Sequence, residues 1–441
     1  MSTTFPHSSR ARPLRSGYRR LATAAVAGVM LATTVACGDD SDDGVVRLRF
    51  AWWGNNERAA ATEEVIAAFE EANPGIEVEG ETADFNAYFE RLATQIASGE
   101  GPDIITLGGA YPAEYGGRGA LLDLETVSDH LNMEQLDPAA LRAGYFHDTQ
   151  FGVPTGVNTY ALVADPTVFE QAGVPLPDDN TWTWDDFLQI ATQISENTPD
   201  GVYGVADFMR TDLLDLYARQ RGESLYTEDG GLGISEQTLG EVWEIMIALR
   251  DAGATPPASV TAELMTQTAP EQSLIGRGLA GMQFGWSSQL AAYRNASGRP
   301  LVLLRPPGES EFEQPGMWLQ ASQIYTINAR TEHPEEAARF VDFLVNSVEA
   351  GRIIGTDRGI PANPQVREAI ASGLNEHQQV EAEFIERVAS QVGSPLIIGP
   401  AGSADTWRTL DRLHTEVLFD RMTIEDAVEQ FFSEVEAAIA Q

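Results

Sequence analysis

The sequence predicts an α/β fold of two domains. Three observations carry that prediction: a repeated strand–helix–strand rhythm, turn signals that punctuate it, and a length too great for one core. Val46 to Trp52 alternates apolar and polar residues, as a half-buried strand does. Gly54-Asn55-Asn56 breaks it, and 57–72 then places Ala60, Val65, Ala68 and Phe69 near helical spacing. Asn73-Pro74-Gly75 stops that helix. A second alternating strand, 76–79, precedes a second helix, 85–98, which ends at Gly99, and 102–107 reads as a third strand. This rhythm marks a mostly parallel sheet, whose ligands bind beyond the carboxyl ends of its strands. Those ends carry Trp52-Trp53-Gly54-Asn55-Asn56 and Gly108-Gly109-Ala110-Tyr111. After Gly152-Val153-Pro154 comes a strand from Asn158 to Val163, then a helix-rich stretch over 184–251 with turns at Pro199-Asp200-Gly201 and Asp229-Gly230-Gly231. Thr183 caps the first of these helices, and Trp182 and Trp184 are expected to pack the core. A strand over 279–284 ends at Gly285-Trp286. Residues 323–327 and 334–346 are again strand then helix, and a last helix over 423–440 opens with Thr423 as cap and Asp426 at its third position.

The first 44 residues read differently. Arg10, Arg12, Arg15, Arg19 and Arg20 precede an apolar run from Leu21 to Ala36, and Cys37, the single cysteine, follows directly. A basic region, an apolar region and small residues before a cleavage point are the parts of an export signal. A cysteine immediately after that point resembles the bacterial lipobox, in which the thiol is acylated and becomes the mature N-terminus. Thr34 departs from the leucine usual three positions before it. The Arg19-Arg20 pair leaves twin-arginine export open beside the general route. The apolar run is shorter than the ~20 residues a bilayer span needs. Asp39 to Gly44 is too acidic to bury anything and reads as a solvated tether. Residues 1–36 are therefore expected to be signal peptide and 37–45 tether, with the mature chain outside the membrane and lipid-anchored to it.

Composition narrows the partners. The formal charge of −38 becomes −43 once the five signal arginines are gone, and every basic side chain is Arg. Such a surface repels nucleic acid and anionic headgroups. With one cysteine, no internal disulfide forms.

Five stretches, in this order, resemble the extracellular solute-binding lipoproteins of carbohydrate ABC importers, the group that includes maltose-binding protein. They are Trp52-Trp53-Gly54; Phe69 to Ile76; Ser98-Gly99-Glu100-Gly101-Pro102-Asp103-Ile104; Gly152-Val153-Pro154 with Asn158 and Thr181 to Phe187; and Gly281 to Trp286. The likeness spans about residues 46–440. It implies a type II periplasmic-binding-protein-like fold of two discontinuous lobes, 46–155 with 322–362 and 156–321 with 363–441. The chain would cross between them near 154–158, near 318–323 and after 361, with the ligand in the cleft and closure by a hinge. It further implies a monomer that hands a small carbohydrate to the transmembrane permease subunits of the importer.

A sugar ring has apolar faces, which suit aromatic rings, and a hydroxyl rim, which suits amides, carboxylates and guanidinium groups. Trp53 is a candidate because one of two successive strand tryptophans faces the cleft while the other faces the core. Asn55 and Asn56 follow, with helix capping as the alternative for either. Tyr88, with Phe85 and Asn86 beside it, and Gly109 and Tyr111 complete the first wall. From the resemblance come Asn158 past the first crossing, Arg210 and Asp212 at a helix start, and Trp286 as the principal stacking platform. Trp318, Trp407 and Arg358 are the remaining candidates.

Catalytic, cofactor and metal sites are not expected. The chain has no Gly-x-Ser-x-Gly elbow, no His-Glu-x-x-His, no P-loop and no lysine for a Schiff base. A secreted glycosidase needs two carboxylates about 5–10 Å apart, one with a raised pKa, and 66 acidic residues supply such pairs by chance. That enzyme and a ligand-free scaffold lipoprotein stand as alternatives. Among ligands a neutral di- to tetrasaccharide is favoured. A uronate would want Arg210 or Arg358 in the cleft, and a polyol or glycerol phosphate ester is the further option.

Overall fold

In a computed structural model of the protein, residues 44–440 are described apart from 109–110, 147, 207–208, 266–268, 395 and 401, and apart from the side chain of Ala139. The described strands, in chain order, begin with β1 (Val46–Trp53), β2 (Ile76–Ala83), β3 (Ile104–Leu107), β4 (Tyr145–Phe146), β5 (Thr149–Gln150), β6 (Gly152–Pro154) and β7 (Gly156–Asn158). They continue with β8 (Tyr160–Ala164), β9 (Tyr203–Val205), β10 (Ala280–Trp286), β11 (Val302–Leu304), β12 (Gln320–Ala321), β13 (Ile324–Ile327) and β14 (Ile360–Pro361).

Two main sheets divide the strands. One has the order β2-β1-β3-β13-β6 and the other β11-β8-β10-β9. In the first, β1 runs parallel to β2 and β3, as the local rhythm predicts, while β13 returns antiparallel to β3 and β6. The second sheet is mixed, since β10 pairs antiparallel with β8 and parallel with β9. Each sheet has its own core. Phe50, Trp52, Phe69, Ile104, Tyr325 and Phe340 pack one side of the first. Tyr160, Phe187, Trp243, Met282 and Trp318 pack the second.

The helices of the first lobe follow from their caps and apolar faces. Asn55 Oδ1 accepts from Arg58 N at 2.9 Å to start Asn56–Ala72, which buries Val65, Ile66 and Phe69. Asp84 Oδ1 accepts from Ala87 N at 3.1 Å to start Phe85–Ser98, which Gly99 ends with φ at 82°. In the second lobe Thr183 and Asp186 form a reciprocal capping box before Trp184–Asn197, and Thr423 caps Ile424–Ile439 through Asp426 N. Trp182 and Trp184 are both buried, and Trp184 Nε1 donates to Gln220 Oε1 at 2.9 Å, so both pack the core.

Between the lobes lies a third sheet of short strands, β12-β7-β14. The first two passages of the chain between the two cores run through β7 and β12. The expectation that the second lobe resumes at 363 needs adjustment. The helix Pro364–Ala371 packs on Val348–Ile354, with Val366 close over Gly351, so it belongs with the first lobe. Phe384 and Val388 of Glu376–Val388 join the second core, so the last passage falls between these two helices.

Candidate functional site

A cavity of about 2230 Å³ opens between the lobes and reaches the hinge strands. From the first lobe it is bordered by Trp53 at the end of β1, Asn55, Arg58 and Phe85. From the second it takes Arg210, Asp212, Trp286 at the end of β10, and Trp407. Strand alternation explains the first wall: Trp52 is fully buried against Phe50, at 5.0 Å between ring centroids, which turns half-buried Trp53 toward the cavity. Phe85 braces Trp53 edge-on at 5.6 Å. Trp286 is likewise half-buried, edge-packed on Tyr160 at 5.2 Å and Trp318 at 6.1 Å.

Asn158 borders the cavity from β7 while 3 % exposed. Its Nδ2 donates to Ser288 Oγ and Ser322 Oγ, both at 3.3 Å, which ties it to both neighbouring segments of the hinge. Arg210 Nη1 donates to Met209 O at 2.8 Å and lies 3.5 Å from Asp411 Oδ1. Asp212, on the first turn of Thr211–Gln220, has its carboxyl pushed up to about 7, first by burial and then by the Asp215 carboxylate. Its surface is nevertheless partly open, and the residue borders the cavity. Asp215 is raised to about 6, again mainly by burial, and accepts from Leu225 N at 2.6 Å.

Three expected site residues, Tyr88, Arg358 and Asn56, do not border the cavity, and Trp318 borders it with its side chain sealed. Tyr88 is 1 % exposed and its hydroxyl donates to Thr106 O at 2.7 Å, so it is a core side chain of the first lobe. Trp318 is fully buried; its ring lies nearly parallel to that of Tyr160 and its Nε1 donates to Gln320 Oε1 at 2.7 Å. Arg358 is 2 % exposed, with its guanidinium donating to the Tyr325 hydroxyl and Thr62 Oγ1, away from the cavity. Asn56 is exposed as the first residue of its helix and does not border the cavity, whereas Asn55 does so while also serving as cap. Tyr111 borders the cavity, stacked on Phe89 at 4.0 Å. Gly109 and Cys37 lie outside the described residues.

Sequence reasoning missed Arg58. Its Nε donates to Asp357 Oδ2 at 2.7 Å and its Nη2 to Asp357 O at 2.8 Å, strapping the first lobe to the loop before β14. No local pattern signals a partner 299 positions away. Gln283 and Tyr293, joined at 3.0 Å, are further polar groups on the second wall. Among the described residues no cluster of three or more His, Cys, Asp or Glu is placed to hold a metal ion, and no helix is long and apolar enough to cross a membrane.

Residues 53–350 match the family profile described as bacterial extracellular solute-binding protein. An uncharacterized lipoprotein of Streptomyces antibioticus is 26 % identical over 352 residues, covering 76 % of this chain and 75 % of its own. A family 1 extracellular solute-binding protein of Alicyclobacillus acidocaldarius is 28 % identical, with a TM-score of 0.66 over 90 % of this chain and 99 % of its own. The periplasmic oligogalacturonide binding protein of Yersinia enterocolitica, in complex with saturated digalacturonic acid, is 22 % identical over 90 % of this chain and 99 % of its own, with a TM-score of 0.81. A second structure of a periplasmic oligogalacturonide binding protein from Yersinia enterocolitica, 21 % identical over 90 % of this chain and 99 % of its own, has a TM-score of 0.66.

Proposed function

The chain belongs to the bacterial extracellular solute-binding protein family, and on that premise we propose that it captures an oligosaccharide outside the membrane and delivers it to the permease of an ABC importer. One observation carries the choice of a sugar: a single inter-lobe cavity gathers three half-buried indoles, Trp53, Trp286 and Trp407, among amide, guanidinium and carboxyl groups. Flat apolar faces beside planar hydrogen-bonding groups match a pyranose ring and its hydroxyl rim. Trp53 and Trp286 stack ring faces. Asn55, Asn158, Arg210 and Asp212 meet the rim, and Asp212, when protonated, donates as well as accepts. The lobes are 46–155 with 322–371 and 156–321 with 372–441. The chain acts as a monomer, needs no metal or cofactor, binds no nucleic acid and returns its ligand unaltered. A uronate is the second ligand option, because Arg210 borders the cavity; Arg358, the other guanidinium considered for it, does not.

A thermal-shift screen of neutral and acidic oligosaccharides tests this, with chromatography of the recovered sugar. The expected result is a raised melting point with at least one sugar, about 2.7 kcal/mol of added stability at a hundredfold ligand excess over Kd, and intact sugar afterwards. Shortened sugar points to a glycosidase, and no shift with any sugar removes the carbohydrate reading.

Anchoring is proposed at Cys37, by acylation of its thiol. Cys37→Ser is expected to release the protein from membranes or leave an unprocessed precursor. Fractionation with membranes and processing identical to wild type would exclude lipidation there.

A further inference from the structure

The guanidinium of Arg58 ties the ligand-facing end of β1 to the hinge loop. Its Nε donates to Asp357 Oδ2 at 2.7 Å, and its Nη2 donates to Asp357 O at 2.8 Å and to Asp357 Oδ1 at 3.4 Å. Its Nη1 donates to the carbonyl of Trp53 at 3.3 Å. Its backbone N–H is the one that Asn55 Oδ1 accepts. Gly54 makes room for this arrangement: a Cβ there would lie 2.4 Å from Arg58 Cδ, so the side chain folds back over the turn that follows β1.

The loop that Arg58 grips leads straight into the hinge. Asp357 stands just before β14, which pairs with β7. Thr155 Oγ1 donates to Arg358 O at 3.0 Å, and a Cβ on Gly359, whose φ is 84°, would lie 2.8 Å from Val157 O. The loop therefore rests on β7 backbone to backbone. The helix Asn56–Ala72 is joined to it a second time, because the Arg358 guanidinium reaches back to Thr62 Oγ1, one turn after Arg58.

A guanidinium has five N–H donors. Four of them are committed to Asp357 and Trp53, and among the described residues the second Nη1 N–H has no acceptor. The Arg58 side chain keeps 16 % of its surface open and borders the large cavity beside Trp53 and Asn55.

We propose that Arg58 binds the solute, its remaining N–H donating to a neutral oxygen while the other four hold that contact fixed relative to the hinge loop. Asp357 already balances the guanidinium charge, so the acceptor that fits is a hydroxyl or ring oxygen rather than a second carboxylate. That this oxygen belongs to a sugar rests on the carbohydrate reading above. The donor is held in place before the solute arrives, so little side-chain freedom is lost on binding.

The test uses two variants. Arg58→Met keeps the stem and removes every side-chain donor, whereas Asp357→Asn keeps Arg58 and loosens its hold. Circular dichroism checks that both fold. The probes are neutral oligosaccharides, acidic oligosaccharides and mannitol, and the solute taken forward is one that raises the wild-type melting point. Calorimetric titration is expected to give a Kd about 10- to 150-fold weaker for Arg58→Met, the range for one hydrogen bond to a charged group. Asp357→Asn is expected to lose less, and the double variant no more than Arg58→Met alone. A strap with a structural role only lowers the melting point and leaves Kd alone. Arg58→Met binding within about threefold of wild type therefore overturns the proposal, and so does a double variant whose loss is the product of the two. Binding of mannitol but of no oligosaccharide removes the carbohydrate reading and leaves Arg58 to be judged on mannitol. Binding of acidic sugars alone, or of no probe, overturns the neutral acceptor. Hydrogen exchange without any solute gives an independent readout: Arg58→Met is expected to speed amide exchange over 53–57 and 355–361 together. Unchanged rates over 355–361 overturn the coupling to the hinge.

Discussion

Trp286→Ala is expected to weaken oligosaccharide binding about 30- to 150-fold with the fold retained, while Trp318→Ala, 6.1 Å away between ring centroids, unfolds the protein at markedly lower denaturant. The two indoles are neighbours with opposite surroundings. Trp286 is half-buried, edge-packed on one side and open to the cavity on the other. Stacking a sugar face on it removes apolar surface from water on both partners, worth about 2–3 kcal/mol at ~25 cal/mol per Å² with an aromatic stacking contribution. That converts to the stated change in Kd at ~1.4 kcal/mol per decade. Trp318 exposes nothing, lies parallel to Tyr160, and carries the Arg219 guanidinium 5.5 Å from its ring centroid. Its removal leaves a cavity in the second core and strands Gln320 Oε1, at a cost of about 3–5 kcal/mol. Calorimetric titration and chemical denaturation of both variants check the pair. Binding by Trp286→Ala within about threefold of wild type would refute the stacking role, and so would unfolding as its main defect.

The same contrast explains what was legible in the sequence. The run from β1 through the helix Asn56–Ala72, β2, the helix Phe85–Ser98 and β3 was readable because each element carries its own periodicity and its own stop, such as Asn73-Pro74-Gly75 or Gly99. β9 was not: three residues between two helices are too few for an alternation to register. For side chains, local pattern placed Trp52 and Trp53 on opposite faces, since a strand has a period of two. It did not separate Trp286 from Trp318, because both sit beside strand ends and only tertiary packing, in which the two rings and Tyr160 meet one another, decides which ring is sealed. Tyr88 and Arg358 were misplaced for a related reason. A buried phenol or guanidinium is tolerated only where distant groups satisfy it. Those groups, Thr106 O for one and Tyr325 with Thr62 for the other, are set by tertiary register.

Glu381→Gln is expected to stabilise the protein at neutral and alkaline pH and leave it nearly unchanged at pH 5. Glu381 lies on the helix Glu376–Val388, 1 % exposed, where the second lobe meets the hinge loop. Burial pushes its carboxyl up to about 8; hydrogen bonds from Thr356 and Ser287 work against that, and the nearby Asp357 carboxylate adds to it. Its Oε2 has no hydrogen-bond partner among the described residues. A carboxyl whose folded pKa exceeds its unfolded value binds more protons in the folded state between the two. Stability therefore falls as pH rises from about 4.5 toward about 8, and the contribution of the protonated group is fully present only below the lower of these. At ~1.4 kcal/mol per pH unit within that window, the wild-type carboxyl costs on the order of 3 kcal/mol at pH 7, an upper figure for a site that relaxes on ionisation. Glutamine has the same shape, keeps the acceptor facing Ser287 and Thr356, and carries no charge at any of these pH values. Denaturant midpoints at pH 5, 7 and 8.5 are expected to converge at the lowest pH and diverge at the higher two, with the variant above wild type. Parallel curves across this range would mean that Glu381 does not keep its proton in the folded protein.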